Sequence, residues 1–503
     1  MIRRCIATLA LVGAPVFAAD AVLTIGSEAA GPRIEPTVYG HFVEHLGHGV
    51  YGGLWVGPES PIPNTRGWRN DVLDALRRVG VPVMRWPGGC FADDYDWRDG
   101  IGPPAQRPVR LNKVWGGVDE TNRVGTHEFM DLAELLGAEA YLAGNMGSMP
   151  PRAMSQWLEY LTSASPDSTL ANERRRNGRD APWKVPYFGV GNESWGCGGN
   201  MRPEYAADLH RRYAAFLHTN TVRVASGDGE GRDEVTDVML ERAKGQMDAI
   251  SLHHYTVVGT WEAKGRATGF GRAQWAKALH DPLVGLDEHI ARTVRIMDRH
   301  DPARRIALYV DEWGMWHDPE PGSDPAFLFQ QNTQRDALVA ALAFHTFHRH
   351  TQRVKMANLA QMVNVLQALV LTDGPRFALT PTYHAFDLYR PFRGALPLQT
   401  TLQTPRWREG ALELPHVDVS AARTPEGRVV LALVNLHPDE PARVRTGLAG
   451  RASGRLLAAP AMDAHNRPGE PPQVQPVPLA LQGALTVELP PRAVAVLVIE
   501  ETR

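Results

Sequence analysis

The stretch VPYFGVGNESWGCGGN, residues 185–200, sets a β-rich apolar run against an abrupt polar end. Val185 to Val190 reads as a buried strand. Gly191 stops it, and Asn192 and Glu193 follow at once, with Cys197 four residues further on. An amide and a carboxylate at the tip of a buried strand match the rim of a parallel barrel, where active sites gather at the C-terminal strand ends.

Working outward from this strand gives a regular series. Apolar segments VYGHFVE (38–44), VPVMRWPGG (81–89) and AEAYLAGNMG (138–147) precede it. VRVASGDG (222–229), MDAISLHHY (247–255), RIALYVDEWG (305–314) and KMANLAQMVNVLQ (355–367) follow. Amphipathic stretches lie between them, and DVLDALRRVG and HEFMDLAELLG both end on a glycine, as helices often do. Eight strands alternating with helices predict a (β/α)8 TIM barrel over 35–390. Polar residues collect at the strand ends: Glu44, Asn145, Asn192, Glu193, His253, Tyr255, Asp311 and Glu312.

Beyond 390 the helical period disappears. Short β-rich runs such as GRVVLALVNLHP and ALTVELPPRAVAVLVIE, punctuated by Gly, Pro and Asp, predict a β-sandwich over 391–503. AVLTIGS (21–27), within a segment spanning 20–34, reads as a strand able to join that sandwich. Residues 1–19 read as a signal peptide: Arg3 and Arg4, an apolar run from Cys5 to Phe17, then Ala18 and Ala19. The run is short for a bilayer span, so a secreted or periplasmic protein is expected, with no membrane association after cleavage. The net charge of −3 in 503 residues lacks the basic footprint of a nucleic-acid binder. A neutral small-molecule or polysaccharide partner fits better.

Glu193 and Glu312 end strands on the same rim. Two carboxylates across a pocket are the minimum equipment of a glycoside hydrolase: one protonates the leaving oxygen, and the other attacks the anomeric carbon or activates water. A lone strand-end Glu is more often a solvated rim residue or an ion-pair partner; two, each with a hydrogen-bonding neighbour, point to chemistry. Asn192 can hold a sugar 2-hydroxyl. His253 and His254 are adjacent on a strand and should face opposite ways, one to the pocket and one to the helices. No metal-binding motif accompanies them, so no metal and no cofactor are expected.

GVGNESWG and YVDEWGMW resemble the acid/base and nucleophile motifs of glycoside hydrolase family 51, the α-L-arabinofuranosidases. VYGHFVEHLG, RWPGGCFADDYDWRDGIGP, GTHEFMDLAELLG, SLHHYT and NLAQMVNVLQ resemble that family's segments in its order. The resemblance implies a retaining exo-enzyme that removes terminal α-L-arabinofuranosyl units from arabinan, arabinoxylan or their oligosaccharides. Glu193 would be the acid/base and Glu312 the nucleophile, with Tyr255 donating to the nucleophile. Glu44, Asn192, His253 and Gln361 would face the sugar, and Trp97 and Trp316 would border the pocket, wall packing being the other reading for both tryptophans. Glu193 then needs a raised pKa and Glu312 must stay ionised. A homo-oligomer is compatible with this architecture.

The chain departs from the family at Cys90, where many members carry a sugar-contacting Asn after Pro-Gly-Gly. A thiol is a weak donor, so a contact there is weakened or replaced. Cys90 and Cys197 both map to the barrel mouth. Three readings stay open: small buried residues, a disulfide, or a thiol pair that touches substrate or metal. A retaining endo-β-1,4-glucanase or xylanase-like hydrolase is the alternative function, and a non-catalytic sugar-binding barrel is disfavoured by the intact Glu193 and Glu312.

Overall fold

The computed structural model describes residues 19–217, 220–229 and 231–501. The apolar run read as an export signal lies outside them. Strand β1 (Ala19–Ala29) comes first. The barrel strands follow as β2 (Gly40–Phe42), β3 (Val83–Trp86), β4 (Glu139–Gly144), β5 (Tyr187–Val190), β6 (Val222–Gly229), β7 (Ala249–Thr256), β8 (Ala307–Met315) and β9 (Val354–Leu359). They close into a barrel in which each strand lies parallel to its successor and β9 lies beside β2.

The helices end where their glycines allow. Asn70–Val79 buries Val72, Leu73, Leu76 and Val79 on one face and stops at Gly80, whose φ of 70° ends the helix in the left-handed region. Thr126–Leu136 stops in the same way at Gly137. Val83, Tyr141, Val224, Ala249, Tyr309 and Met356, from six different strands, pack together in the barrel interior as a filled core. Two strands are shorter than their apolar runs suggested. Pro36–Tyr39 forms a 3-10 turn before β2, and β9 stops at Leu359. A proline presets φ for a turn, so the apolar character of the first run reflects burial rather than extension.

The C-terminal strands are β10 (Leu396–Gln403), β11 (Val417–Arg423), β12 (Val429–Asn435), β13 (Ala442–Leu457), β14 (Val477–Leu489) and β15 (Val494–Glu501). Their order is β1-β10-β11-β12-β15-β13-β14, and β1 also pairs in parallel with the start of β13. The sheet therefore folds over on itself. Its second core includes Leu23, Leu431, Leu433, Val444 and Leu497. Ala442 and Val444 are buried while Arg443 and Arg445 are exposed, the period-two pattern of a strand with one wet face.

The two parts share the helix Gln334–Arg349, buried along nearly its whole length. His345 Nδ1 lies 2.5 Å from Asp418 Oδ2, and His348 Nδ1 2.8 Å from Ser420 Oγ. Among the described residues no helix is long and apolar enough to cross a membrane.

Candidate active site

β5 delivers Glu193 through two left-handed residues. Gly191 has φ 81°, and a Cβ there would meet Met146 Cε at 2.9 Å, so glycine is needed for both backbone and space. Glu193 itself has φ 39°, an uncommon conformation for a non-glycine residue that clusters at functional sites. The turn wraps the Glu193 carbonyl, which accepts from the N–H groups of Gly196 (2.7 Å) and Gly198 (3.1 Å). Buried Asp93 clamps three loops: its carboxylate accepts from the backbone N–H groups of Met146, Gly147 and Asn192 at 2.7–2.8 Å.

The Glu193 side chain is only 18% exposed. Its Oε1 lies 2.8 Å from His253 Nδ1. Its Oε2 lies 3.4 Å from Cys197 Sγ and 4.0 Å from Cys90 Sγ. Of the three readings of the cysteines, the structure has the disulfide: Cys90 and Cys197 are bridged, with Cα atoms 5.4 Å apart. Burial raises the Glu193 pKa. The hydrogen bond from His253 opposes that rise and the nearby Glu312 carboxylate adds to it.

Glu312 sits on β8, opposite Glu193. It accepts from Arg85 Nη1 at 2.7 Å through Oε1 and from the Tyr255 hydroxyl at 2.9 Å through Oε2. Arg85, 1% exposed on β3, also donates to Asn192 Oδ1 and stands 3.6 Å from Asp311. His253 bridges the pair: its Nδ1 is 3.4 Å from Glu312 Oε2, and its Nε2 is 3.2 Å from Asp311 Oδ1. Burial alone would lower the His253 pKa. The carboxylates of Glu312, Asp311 and Glu193 outweigh it and bring the ring to about 10, so it is an imidazolium at neutral pH. One carboxylate oxygen of Glu193, one of Glu312 and a ring nitrogen of His253 all lie within 4.8 Å of one another.

Glu44 and Gln361 form a second buried pair. Gln361 Nε2 donates to Glu44 Oε2 at 3.2 Å, and the Glu44 N–H donates to Gln361 Oε1 at 3.1 Å. Glu44 Oε1 accepts from Phe91 N–H and from Trp115 Nε1, both at 2.9 Å. Burial, with the Glu312 charge adding, raises its pKa to about 7. A cleft of about 850 Å3 opens on the Glu193 side of the site, lined by Glu193, His253, Tyr255, Trp316, Trp195 and Trp261 among others. Trp316 meets Tyr255 edge-on at 4.9 Å, and Trp261 meets Trp316 at 5.6 Å.

The structure thus brings Glu44, Cys90, Asn192, Glu193, His253, Tyr255, Glu312, Trp316 and Gln361 to one rim. It does not bring Trp97 there. Trp97 is 3% exposed and stacks on Trp157 at 6.5 Å, with the Arg98 guanidinium over its ring, so it packs the wall. His254 turns away from His253, toward Asp281 (2.9 Å) and His289 (3.1 Å). Yet it lines the far side of the same cleft. Arg85, Asp93, Trp115, Trp195 and Trp261 complete the site, though sequence reasoning did not single them out. Arg85 had a weak signal, a lone cation inside an apolar strand.

Two family profiles match this chain: "Alpha-L-arabinofuranosidase 1 domain" over residues 75–256 and "Alpha-L-arabinofuranosidase C-terminal domain" over 311–493. An intracellular exo-α-L-arabinofuranosidase of Bacteroides ovatus is 43% identical over 492 residues, covering 95% of each chain. The chain belongs to the family 51 α-L-arabinofuranosidases.

A crystal structure of a family 51 arabinofuranosidase from Xanthomonas axonopodis pv. citri superposes with a TM-score of 0.93. It is 49% identical, over 96% of this chain and all of that one. The arabinose complex of the Thermotoga maritima α-L-arabinofuranosidase is 28% identical with a TM-score of 0.84, over 96% of this chain and all of that one. The enzyme is accordingly a glycoside hydrolase with α-L-arabinofuranosidase activity, and its substrate is an arabinofuranosyl glycan. These relatives do not favour the endo-glucanase or xylanase alternative. They also correct the expected secreted or periplasmic location. The Bacteroides relative, alignable almost end to end, is named intracellular, so an apolar N-terminal run is not sufficient ground for export.

Proposed function

We propose that this arabinofuranosidase is an exo-acting, retaining enzyme with Glu312 as nucleophile and Glu193 as acid/base. The observation that carries the reading is the proximity of the two carboxylates, whose oxygens lie within 4.8 Å with His253 between them. Retaining enzymes hold the carboxyl groups about 5–5.5 Å apart, whereas inverting enzymes need about 6.5–9.5 Å to admit a water.

Glu312 forms a bond to the anomeric carbon while the glycosidic C–O bond breaks and Glu193 passes its proton to the leaving oxygen. Glu193, now a carboxylate, takes a proton from water, and that water displaces Glu312 from the sugar. Arg85 and Tyr255 donate to Glu312 and aim its carboxylate. Burial raises the Glu193 pKa, which favours the proton-carrying form that a general acid needs. Asn192, held by Arg85 and Asp93, binds the 2-hydroxyl in this reading. Glu44 and Gln361 bind further hydroxyls, and Trp316 and Trp261 line the leaving-group side.

The Bacteroides relative's name supports an exo mode and a site of action inside the cell. Proton NMR of the first-formed sugar tests the stereochemistry. Initial release of the α-anomer is expected, and initial release of the β-anomer would rule out Glu312 as a nucleophile.

A further inference from the structure

Three features lie outside the reaction as described. His416, His437 and Glu440 cluster in the sheet domain. There His437 Nδ1 accepts the N–H groups of Asp439 and Glu440, so Nε2 carries the proton and offers no lone pair. His254, His289, Asp228 and Asp281 form a hydrogen-bonded chain in which every ring nitrogen is already engaged by a neighbour. The third is the pair of sulfurs against Glu193, and it has unused chemistry.

Ligand atoms of Cys90, Glu193 and Cys197 lie within 4.8 Å of one another. From ordinary zinc bond lengths, a sulfur and an oxygen on one tetrahedral Zn2+ stand about 3.5 Å apart. The two sulfur–oxygen separations here are 3.4 and 4.0 Å. Two edges of a zinc polyhedron are therefore nearly in place around the carboxylate. Only the bond between the sulfurs prevents its use.

Hydrogen bonds hold the same loops alongside that bond. Asp93, three residues from Cys90, accepts the Asn192 N–H, five residues before Cys197. Gly196 and Gly198, on either side of Cys197, both donate to the Glu193 carbonyl. The two loops thus stay tied when the bridge opens. Cys197 is solvent-exposed, so a reductant can reach it.

We propose that reduction of the Cys90–Cys197 bridge creates a binding site for a thiophilic divalent cation such as Zn2+, formed by Cys90, Cys197 and Glu193, and that occupation silences the enzyme. The inhibition rests on the reading of Glu193 as proton donor. A dithiol reductant supplies two electrons and two protons. The S–S bond breaks, Cys90 and Cys197 become thiols, and the reductant is oxidised to its own disulfide. Zn2+ then displaces the thiol protons and the Glu193 carboxyl proton, and water completes the tetrahedron. Thiolate ligands select soft or borderline cations over Mg2+ and Ca2+. The result is an enzyme that is active when oxidised and metal-sensitive when reduced.

The test uses the full chain, oxidised or reduced with excess dithiol that is then removed anaerobically, and titrated with CoCl2 or ZnCl2. The reduced enzyme should show a near-ultraviolet thiolate-to-cobalt band that is absent from the oxidised enzyme and weakened in Cys197→Ser and in Cys90→Ser. One equivalent of Zn2+ should lower arabinose release from a poor-leaving-group arabinofuranoside by about 10²–10⁴-fold, the contribution of a general acid. A chelator should restore it, and the oxidised enzyme should not respond.

Absence of the band in reduced wild-type enzyme, or an equal band in both serine variants, would overturn the site. So would loss of the native circular dichroism on reduction. A thiolate band with unchanged activity would uphold the site and contradict the role of Glu193 instead. The band reads the metal independently of catalysis.

Discussion

Arg85 Nη1 lies 2.7 Å from Glu312 Oε1, inside a barrel where both side chains are cut off from water. This one guanidinium also reaches Asn192 and Asp311, so it links the nucleophile strand to the acid strand. Removing it would leave the buried carboxylates of Glu312 and Asp311 sharing the His253 cation without their guanidinium partner. Arg85→Met is expected to destabilise the fold by about 3–5 kcal/mol, the usual consequence of breaking a buried ion pair. Urea unfolding reads that loss, and kcat/KM should fall with it. Wild-type stability with lowered activity would show that the pair serves catalysis alone.

The two carboxylates should respond differently to an added nucleophile. In Glu193→Ala, azide can attack the glycosyl-enzyme and give an azide of retained configuration. In Glu312→Ala, azide attacks the substrate itself and gives an inverted product. Each variant should lose about 10²-fold or more in kcat/KM on a poor leaving group before rescue. NMR of the isolated azides checks the assignment, and exchanged outcomes would reverse the two roles.

The pH profile follows from the Glu193 environment. Burial raises its pKa, so the proton donor survives above the ordinary carboxyl range, and activity falls as pH rises through the raised value. His253, at about 10, is positive throughout that range and pulls Glu193 downward. His253→Asn should therefore move the alkaline limb of kcat/KM to higher pH; a move to lower pH would contradict the account. The stability sign is separate. The His253 pKa is above its usual 6.5, so its stabilisation is complete below that value and is lost as pH rises through about 10.

Asp93 makes its contacts as an acceptor only, to three backbone N–H groups. In Asp93→Asn the amide nitrogen must face at least one of those donors. Stability should fall by about 1–3 kcal/mol, the penalty for an unsatisfied buried polar group. KM should rise because Asn192 is released from its position. Thermal melts and Michaelis curves check this, and unchanged KM would detach Asp93 from the site.

The barrel was legible because each strand leaves an apolar run and each intervening helix an amphipathic one. The shared position of Glu193 and Glu312 at the barrel mouth was legible because each follows a buried strand run and the barrel gathers those strand ends on one rim. Arg85 was not, since its partners lie more than a hundred residues along the chain and single-sequence periodicity carries no long-range pairing. Trp97 stayed open between pocket border and wall packing for a related reason. A tryptophan near a strand end can face the mouth or the wall, and only its stack on Trp157 decides. The cysteines were placed at the mouth by their strands, but their bond required three-dimensional distance.

The central claim is that Glu312 carries the sugar and Glu193 moves the proton. Glu193→Ala, supplied with a dinitrophenyl α-L-arabinofuranoside, should form the covalent intermediate without acid help and then stall, because no base activates water. Peptide mass spectrometry of the quenched enzyme measures where the sugar sits. The account predicts an arabinosyl ester on Glu312; an ester on Glu44 or any other residue, or none during a measured burst of dinitrophenol, would contradict it.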